Sequence, residues 1–220
     1  MHDINNHKEL SIMNRLAAIL LSIVIIALLS CAGDTGYRPR AGDILFQDLD
    51  SPQSVAVKLA TGSEYTHCGI VLEVDGEYLV YEAVQPVQVG SLDSWIARGV
   101  DSHFVALRLQ DYTTVLTADA LNAMRIEAER HIGKDYDLVF NWSDDKLYCS
   151  ELVWKVYQRG AGLELTPPRP LESYDLSHPA VQRMLSARYG DSIPLDEPMV
   201  APSDLFGSEK LDTVWVHSTQ

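Results

Sequence analysis

Apolar and polar positions are patterned most sharply between Tyr65 and Val84, where two apolar runs meet at Asp75-Gly76. Val, Ile, Leu and Tyr suit strands, and Asp-Gly accepts the positive φ angles of a two-residue primed turn, so the stretch predicts a β-hairpin. With so tight a turn, paired residue numbers sum to 151: Val74 faces Glu77, Gly69 faces Glu82 and His67 faces Val84. Alternation with period two then sets His67 and Glu82 on one face as diagonal neighbours, within reach of a long carboxylate, and turns Cys68 to the opposite face.

Before the hairpin, Ala41 to Gln47 reads as a turn and a strand, with Asp43 placed to cap or brace a loop. Ser54 to Ala60 is a short apolar helix, with Ser51-Pro52 as its start signal and Gly62 beyond its end. After the hairpin, Gln85 to Gly90 extends the second strand, with Pro86 at an edge or bulge. Leu92 to Arg98 forms a short helix stopped by Gly99, and His103 to Leu109 alternates as a strand. Leu121, Met124, Ala128 and Ile132 recur near helical spacing after Thr117, with Gly133 at the stop. His131 lies in that helix's last turn, where the dipole favours a cation. Leu147 to Tyr157 is a further helix, with Cys149 within a turn of its start and Gly160 past its end. The tail adds a helix from Pro179 to Arg188 and a strand from Leu211 to Val216, and has Leu205, Phe206, Val214 and Trp215 to bury on the same core.

The first thirty residues follow a different pattern. Lys8 and Arg15 precede an apolar run from Leu16 to Leu29, broken by Ser22, whose fourteen residues are short for a bilayer span but fit a secretory signal. Leu28-Leu29-Ser30-Cys31 resembles the lipobox of bacterial lipoproteins, which implies lipid on Cys31, and Ala32 resembles the signal for release to the outer membrane. The expectation is a signal peptide over residues 1–30, a tether over 31–40 and a single domain over 41–220. The product is an outer-membrane lipoprotein facing the periplasm and bound to the membrane through Cys31. A chain of 220 residues with 46% apolar content supports one such core. The formal charge of −14, with no Lys/Arg cluster, argues against nucleic acid as a partner.

Two cysteines remain, Cys68 and Cys149, and an oxidising compartment permits a disulfide between them. The hairpin opposes it, because a group beside His67 would have its back to Cys68. A thiol attacks as its thiolate and needs help to ionise at neutral pH. Cys149 has a helix N-terminus by position, His67 can take the proton, and Glu82 can orient the ring and stabilise the imidazolium. The Cys149 backbone N–H, free at a helix start, can face a developing oxyanion. No spacing in the sequence brings Cys149 to the hairpin. His103 is a candidate by residue type only, and Glu151 has a capping rationale in its first turn. Neither Cys-x-x-Cys nor His-Glu-x-x-His occurs, so no metal or other cofactor is expected.

Gly42-Asp-Ile-Leu-Phe46, Tyr65-Thr-His-Cys-Gly-Ile-Val71, Val80-Tyr-Glu-Ala83 and Tyr148-Cys-Ser-Glu-Leu-Val153 together resemble the permuted papain-like amidases of the YiiX/YaeF type. These are relatives of NlpC-type cell-wall peptidases and, more remotely, of lecithin:retinol acyltransferase. The resemblance implies an α+β papain-like fold, circularly permuted, with an antiparallel sheet or small barrel packed against helices and the catalytic Cys at a helix N-terminus. It implies Cys149 as nucleophile, His67 as base, Glu82 as third polar residue and Tyr136 as oxyanion donor, with Tyr65 as a weaker substrate-side candidate. Cys68 stands where the family carries an aliphatic residue. The implied activity is cysteine hydrolysis of a cell-wall peptide amide, with a lipid ester or amide acyl hydrolase or acyltransferase as the alternative. An inactive cell-wall binding module is the alternative from another class.

Overall fold

The structure is a computed structural model, and it describes residues 36–217. The expected signal peptide and Cys31 lipobox lie outside the described residues. Residues from Arg38 onward form one compact unit.

The hairpin forms with the expected register. Strand β2 (His67–Val74) pairs with β3 (Glu77–Glu82) from Val74↔Glu77 to Ile70↔Tyr81. Asp75 and Gly76 both carry positive φ, 52° and 85°, the conformation that the Asp-Gly dipeptide accepts. The other edge of β2 takes β1 (Ile44–Gln47), with Gln47 opposite His67. Beyond Glu82 the chain does not extend β3. It turns at Gln85-Pro86 and returns as β4 (Gln88–Ser91) on the outer edge of β3, placing Gln88 opposite Glu82.

Two further strands complete an open antiparallel sheet in the order β4-β3-β2-β1-β5-β8, where β5 is Phe104–Leu109 and β8 is Leu211–His217. Since β8 is an edge strand, Val214 stays exposed, against the expectation that it is buried, while Leu205 is buried in the core. A two-stranded ribbon, β6 (Arg169–Pro170) with β7 (Pro198–Met199), ties the tail together.

Helix α1 (Pro52–Thr61) begins where Ser51 accepts a bond from the Ser54 N–H at 3.0 Å and ends at Gly62, whose φ of 67° suits glycine. Helix α2 (Leu92–Ile96) follows β4, α3 (Tyr112–Val115) is a single turn, and α4 (Ala118–Glu129) is capped by Thr117. Helix α5 (Cys149–Lys155) widens into a π turn over Val156–Gly160. A Cβ on Gly160 would lie 2.5 Å from the Met124 Cα, so only glycine lets α4 and this turn meet backbone to backbone. The tail contributes α6 (Pro179–Tyr189) and α7 (Pro202–Phe206).

The core lies between one sheet face, with Ile44, Phe46, Ile70 and Leu72, and the inner faces of α4 and α5, with Met124, Leu152 and Val153. Burial of a side chain such as Leu152 contributes about 1.5–3 kcal/mol, enough to hold a seven-residue helix that is too short to persist alone. Helices α1 and α6 form a smaller second cluster through Ala56, Val181 and Leu185. The buried Asp43 accepts from Arg108 Nε at 2.6 Å and the Arg40 N–H at 2.9 Å, which is the bracing role expected of it. Among the described residues no helix is long and apolar enough to cross a membrane.

Candidate active site

The ladder between β2 and β3 stops at Ile70↔Tyr81, and what enters the gap below it decides the site. The Val71 N–H donates toward β1, to the Asp43 carbonyl at 2.8 Å, so by alternation the Cys68 N–H points the other way, into the gap. Helix α5 packs over this end of the hairpin and delivers the Cys149 sulfur there. The Cys68 thiol, the Cys68 N–H and the His67 imidazole lie beside the sulfur and act on its ionisation. This corrects one expectation. Cys68 does point away from the His67 face, but Cys149 sits at the mouth of the gap rather than on either face, so it meets both residues. Cys68 and Cys149 are both free, with no disulfide between them.

His67 and Glu82 meet as the hairpin register requires, Nε2 to Oε2 at 2.7 Å and both almost fully buried. That bond uses Nε2, leaving Nδ1 for the sulfur. The second oxygen of Glu82 accepts from Gln88 Nε2 at 2.9 Å and from Arg98. The Trp95 ring stacks on His67 at 6.1 Å between centroids, and it fits because residue 69 is glycine. A Cβ there would come within 2.7 Å of Val80 Cγ1 and 3.2 Å of the Trp95 indole nitrogen.

Electrostatics favour an ion pair. Burial alone would lower the His67 pKa, but hydrogen bonds and charge from Cys149 and Glu82 outweigh it and raise it to about 9. Glu82 resists its own burial through His67, Gln88 and Arg98 and is lowered to about 2. The Cys68 thiol bond, followed by the bond and charge of His67, overcomes burial to hold Cys149 well below the free-thiol range. Burial and the neighbouring sulfur push Cys68 well up, so it stays a thiol and a donor. These shifts favour a Cys149 thiolate facing an imidazolium whose far side is fixed by a carboxylate.

Tyr136 stands beside this pair on a loop braced by Asp137, whose carboxylate accepts from the Val139 and Asn141 N–H groups at 2.8 and 2.7 Å. The polarity of its hydrogen bonds follows from the chemistry of its partners. Arg188 can only donate, and it gives a 2.7 Å bond to Gln53 Oε1. Gln53 therefore presents its Nε2, which donates to the Tyr136 oxygen at 2.8 Å. The Tyr136 O–H is left to donate elsewhere, and burial and the Cys149 charge keep it protonated.

Tyr65 is not brought to the sulfur. It packs at a tilt on Phe206 at 4.6 Å and stacks on His103 at 6.2 Å, and lines a separate pocket with Lys58 and Asp48. Glu151 is buried in the first turn of α5, paired with Lys155 at 2.7 Å, and burial pushes it up to about 7. His131 differs from expectation, since burial and then Lys134 lower its pKa despite its bond to Glu127. Trp95, Gln88, Arg98, Gln53 and Arg188 were not legible as site residues. Each reaches the site through packing, from 6 to 135 positions away from the residue it contacts, and no short motif marks them.

A family model described as "Permuted papain-like amidase enzyme, YaeF/YiiX, C92 family" matches residues 38–215. The chain belongs to this family. It is 40% identical over 192 residues to the uncharacterised protein YiiX of Escherichia coli K12, covering 87% of this chain and 94% of that one. The crystal structure of metalloprotein YiiX from Escherichia coli O157:H7 superimposes with a TM-score of 0.78 at 40% identity, covering 83% of this chain and all of the other. That relative is called a metalloprotein. Among the described residues of this chain, no three His, Cys, Asp or Glu side chains are grouped to hold a metal ion. Membership of the family supports hydrolase chemistry in general and the α+β papain-like fold.

Proposed function

We propose that the protein is a lipid-anchored periplasmic cysteine hydrolase that cleaves an amide or related acyl bond. The observation that carries this reading is the chain of contacts from the Cys149 sulfur through the His67 ring to Glu82, with His67 and Glu82 2.7 Å apart. The thiolate attacks the carbonyl carbon, and the carbonyl oxygen becomes an oxyanion. Tyr136 O–H and the Cys149 N–H, at the start of its helix, are the donors assigned to that charge. His67 gives its proton to the leaving nitrogen or oxygen, the acyl group stays on sulfur as a thioester, and water deprotonated by His67 releases it. Location and NlpC kinship point to a cell-wall peptide amide as substrate, and the acyltransferase kinship points to a lipid ester or amide. Attachment through lipid on Cys31 is part of the proposal, and intact mass of the membrane-extracted protein reports it.

Alkylation of Cys149 by iodoacetamide across pH tests the site. The wild type should react at pH 6 about as fast as at pH 8, and His67→Ala should react only as pH approaches the ordinary thiol range. Reactivity that follows a free thiol in both proteins would sink the triad and leave the binding-module reading.

A further inference from the structure

We infer that the apolar pocket beside Cys149 receives an aliphatic acyl chain, so that the substrate is an ester or amide of a fatty acid. This rests on the Cys149 chemistry proposed above. The pocket runs from Cys149 between α1 and α6, past Ala56, Ala60, Val181 and Leu185. Apart from Cys149 itself, no ionised side chain lines it. Apart from Cys149 and the Tyr136 O–H, its polar side chains already have partners within the protein. Ser150 donates to the Val200 carbonyl at 2.7 Å, the Tyr148 oxygen accepts from the Val200 N–H at 3.2 Å, and Thr61 donates to the Val57 carbonyl at 2.8 Å. Thr66 and Tyr174 are bonded to Asp48 and Asp204, and Gln53 to Tyr136. A carboxylated peptide stem placed here would lose its hydration with nothing in return, whereas hydrocarbon would not.

A second, open groove meets this pocket at Gln53, Thr66 and Tyr136, and the division of labour between the two is what orients the substrate. The nucleophile Cys149 lines the apolar pocket, while His67 lines the open groove together with Ser51 and Gln85. The group that attacks must touch the acyl carbon, and the group that donates a proton must touch the leaving atom. The acyl chain therefore lies in the pocket and the polar leaving group in the groove. The Cys149 S–C bond forms as the carbonyl C–O or C–N bond breaks, the leaving atom takes the His67 proton, and water later restores thiolate and fatty acid.

The test uses the full chain with p-nitrophenyl acetate, butyrate and octanoate, with octanoyl p-nitroanilide as the amide arm, and with Cys149→Ala as the blank. Each buried methylene should raise kcat/KM about three- to fourfold, so octanoate should exceed butyrate by about a hundredfold. Intact mass should show the octanoyl group on Cys149. Ala60→Phe, which fills the pocket, should erase the octanoate advantage over acetate. Cys149-dependent turnover that is as fast with acetate as with octanoate, or turnover of a peptidoglycan stem peptide in preference to both octanoyl substrates, would overturn the acyl-chain inference while leaving the cysteine hydrolase standing. No Cys149-dependent release from any substrate would overturn the hydrolase reading, and this one with it. The wild-type series needs no variant to fold.

Discussion

The chain buries two His–carboxylate pairs, and they titrate in opposite directions. His67 and Glu82 lie 2.7 Å apart, and His131 and Glu127 3.1 Å apart, with both histidines almost fully buried. Each carboxylate also carries an arginine, Arg98 on Glu82 and Arg130 and Arg159 on Glu127. The difference lies on the far side of the ring. His67 faces a sulfur that accepts its proton's charge, whereas Nδ1 of His131 faces Lys134 Nζ at 3.1 Å. The first ring is raised to about 9 and the second is lowered. A buried His–Glu pair is therefore no sign of catalysis by itself, because the third partner fixes the protonation state.

Replacing the two rings in turn should break the comparison most widely. His67→Asn removes the proton shuttle and the thiolate's counter-charge, and kcat/KM on an acyl substrate should fall by about 10³ to 10⁴. His131→Asn should leave kcat/KM within about twofold, because its ring acts only on the end of α4. Comparable losses in both variants, measured at matched folded fraction by circular dichroism, would make His67 a structural histidine like His131.

Glu82→Gln gives the next largest effect. Activity should need the thiolate and the imidazolium together, so the alkaline limb of kcat/KM should lie near pH 9 in the wild type. Without the carboxylate the imidazolium loses its partner, so that limb should move down and the peak fall by about a hundredfold. Stability carries a second signature. Glu82 is lowered from 4.5 to about 2, so its contribution is complete above about pH 4.5 and lost as pH falls through about 2. That interval corresponds to something on the order of 3 kcal/mol for so buried a group. Denaturant melts of the two proteins should therefore converge as pH falls across it. His67 works in the opposite sense, its contribution being full below pH 6.5 and lost as pH rises through about 9. A gap between the proteins that persists at pH 2 would place the Glu82 contribution in packing rather than charge.

Half of this contrast was legible in the sequence. Asp75-Gly76 permits one tight turn, that turn fixes the register, and the register puts Glu82 beside His67. Helix starts such as Ser51-Pro52 and Thr117 were legible for the same reason, since a cap is a local hydrogen bond. Cys149 could be assigned only by resemblance, because α5 reaches the gap through packing on residues far away in sequence. Cys68 was misjudged because strand alternation describes two faces and says nothing of a group that enters from the edge. The apolar pocket was invisible because its walls, α1 and α6, are about 125 residues apart and neither carries a motif. Reading β4 as an extension of β3 hid Gln88, whose bond to Glu82 exists only because the chain doubles back.

The smallest effect tests the cause assigned to the non-catalytic pair. Lys134 Nζ bonds His131 Nδ1 and the Asp144 carbonyl, and its charge is among the causes that lower His131, after burial. Lys134→Met removes that charge while keeping an unbranched side chain of similar length. The His131 titration, followed by the chemical shift of its ring protons, should move upward, because the imidazolium no longer has a cation at its side and still has Glu127. His67 should not move, since Lys134 is not among the groups that shift it. A downward shift of His131, or none, would assign its lowered pKa to burial alone, and the two pairs would then differ by the sulfur on one side without an opposing cation on the other.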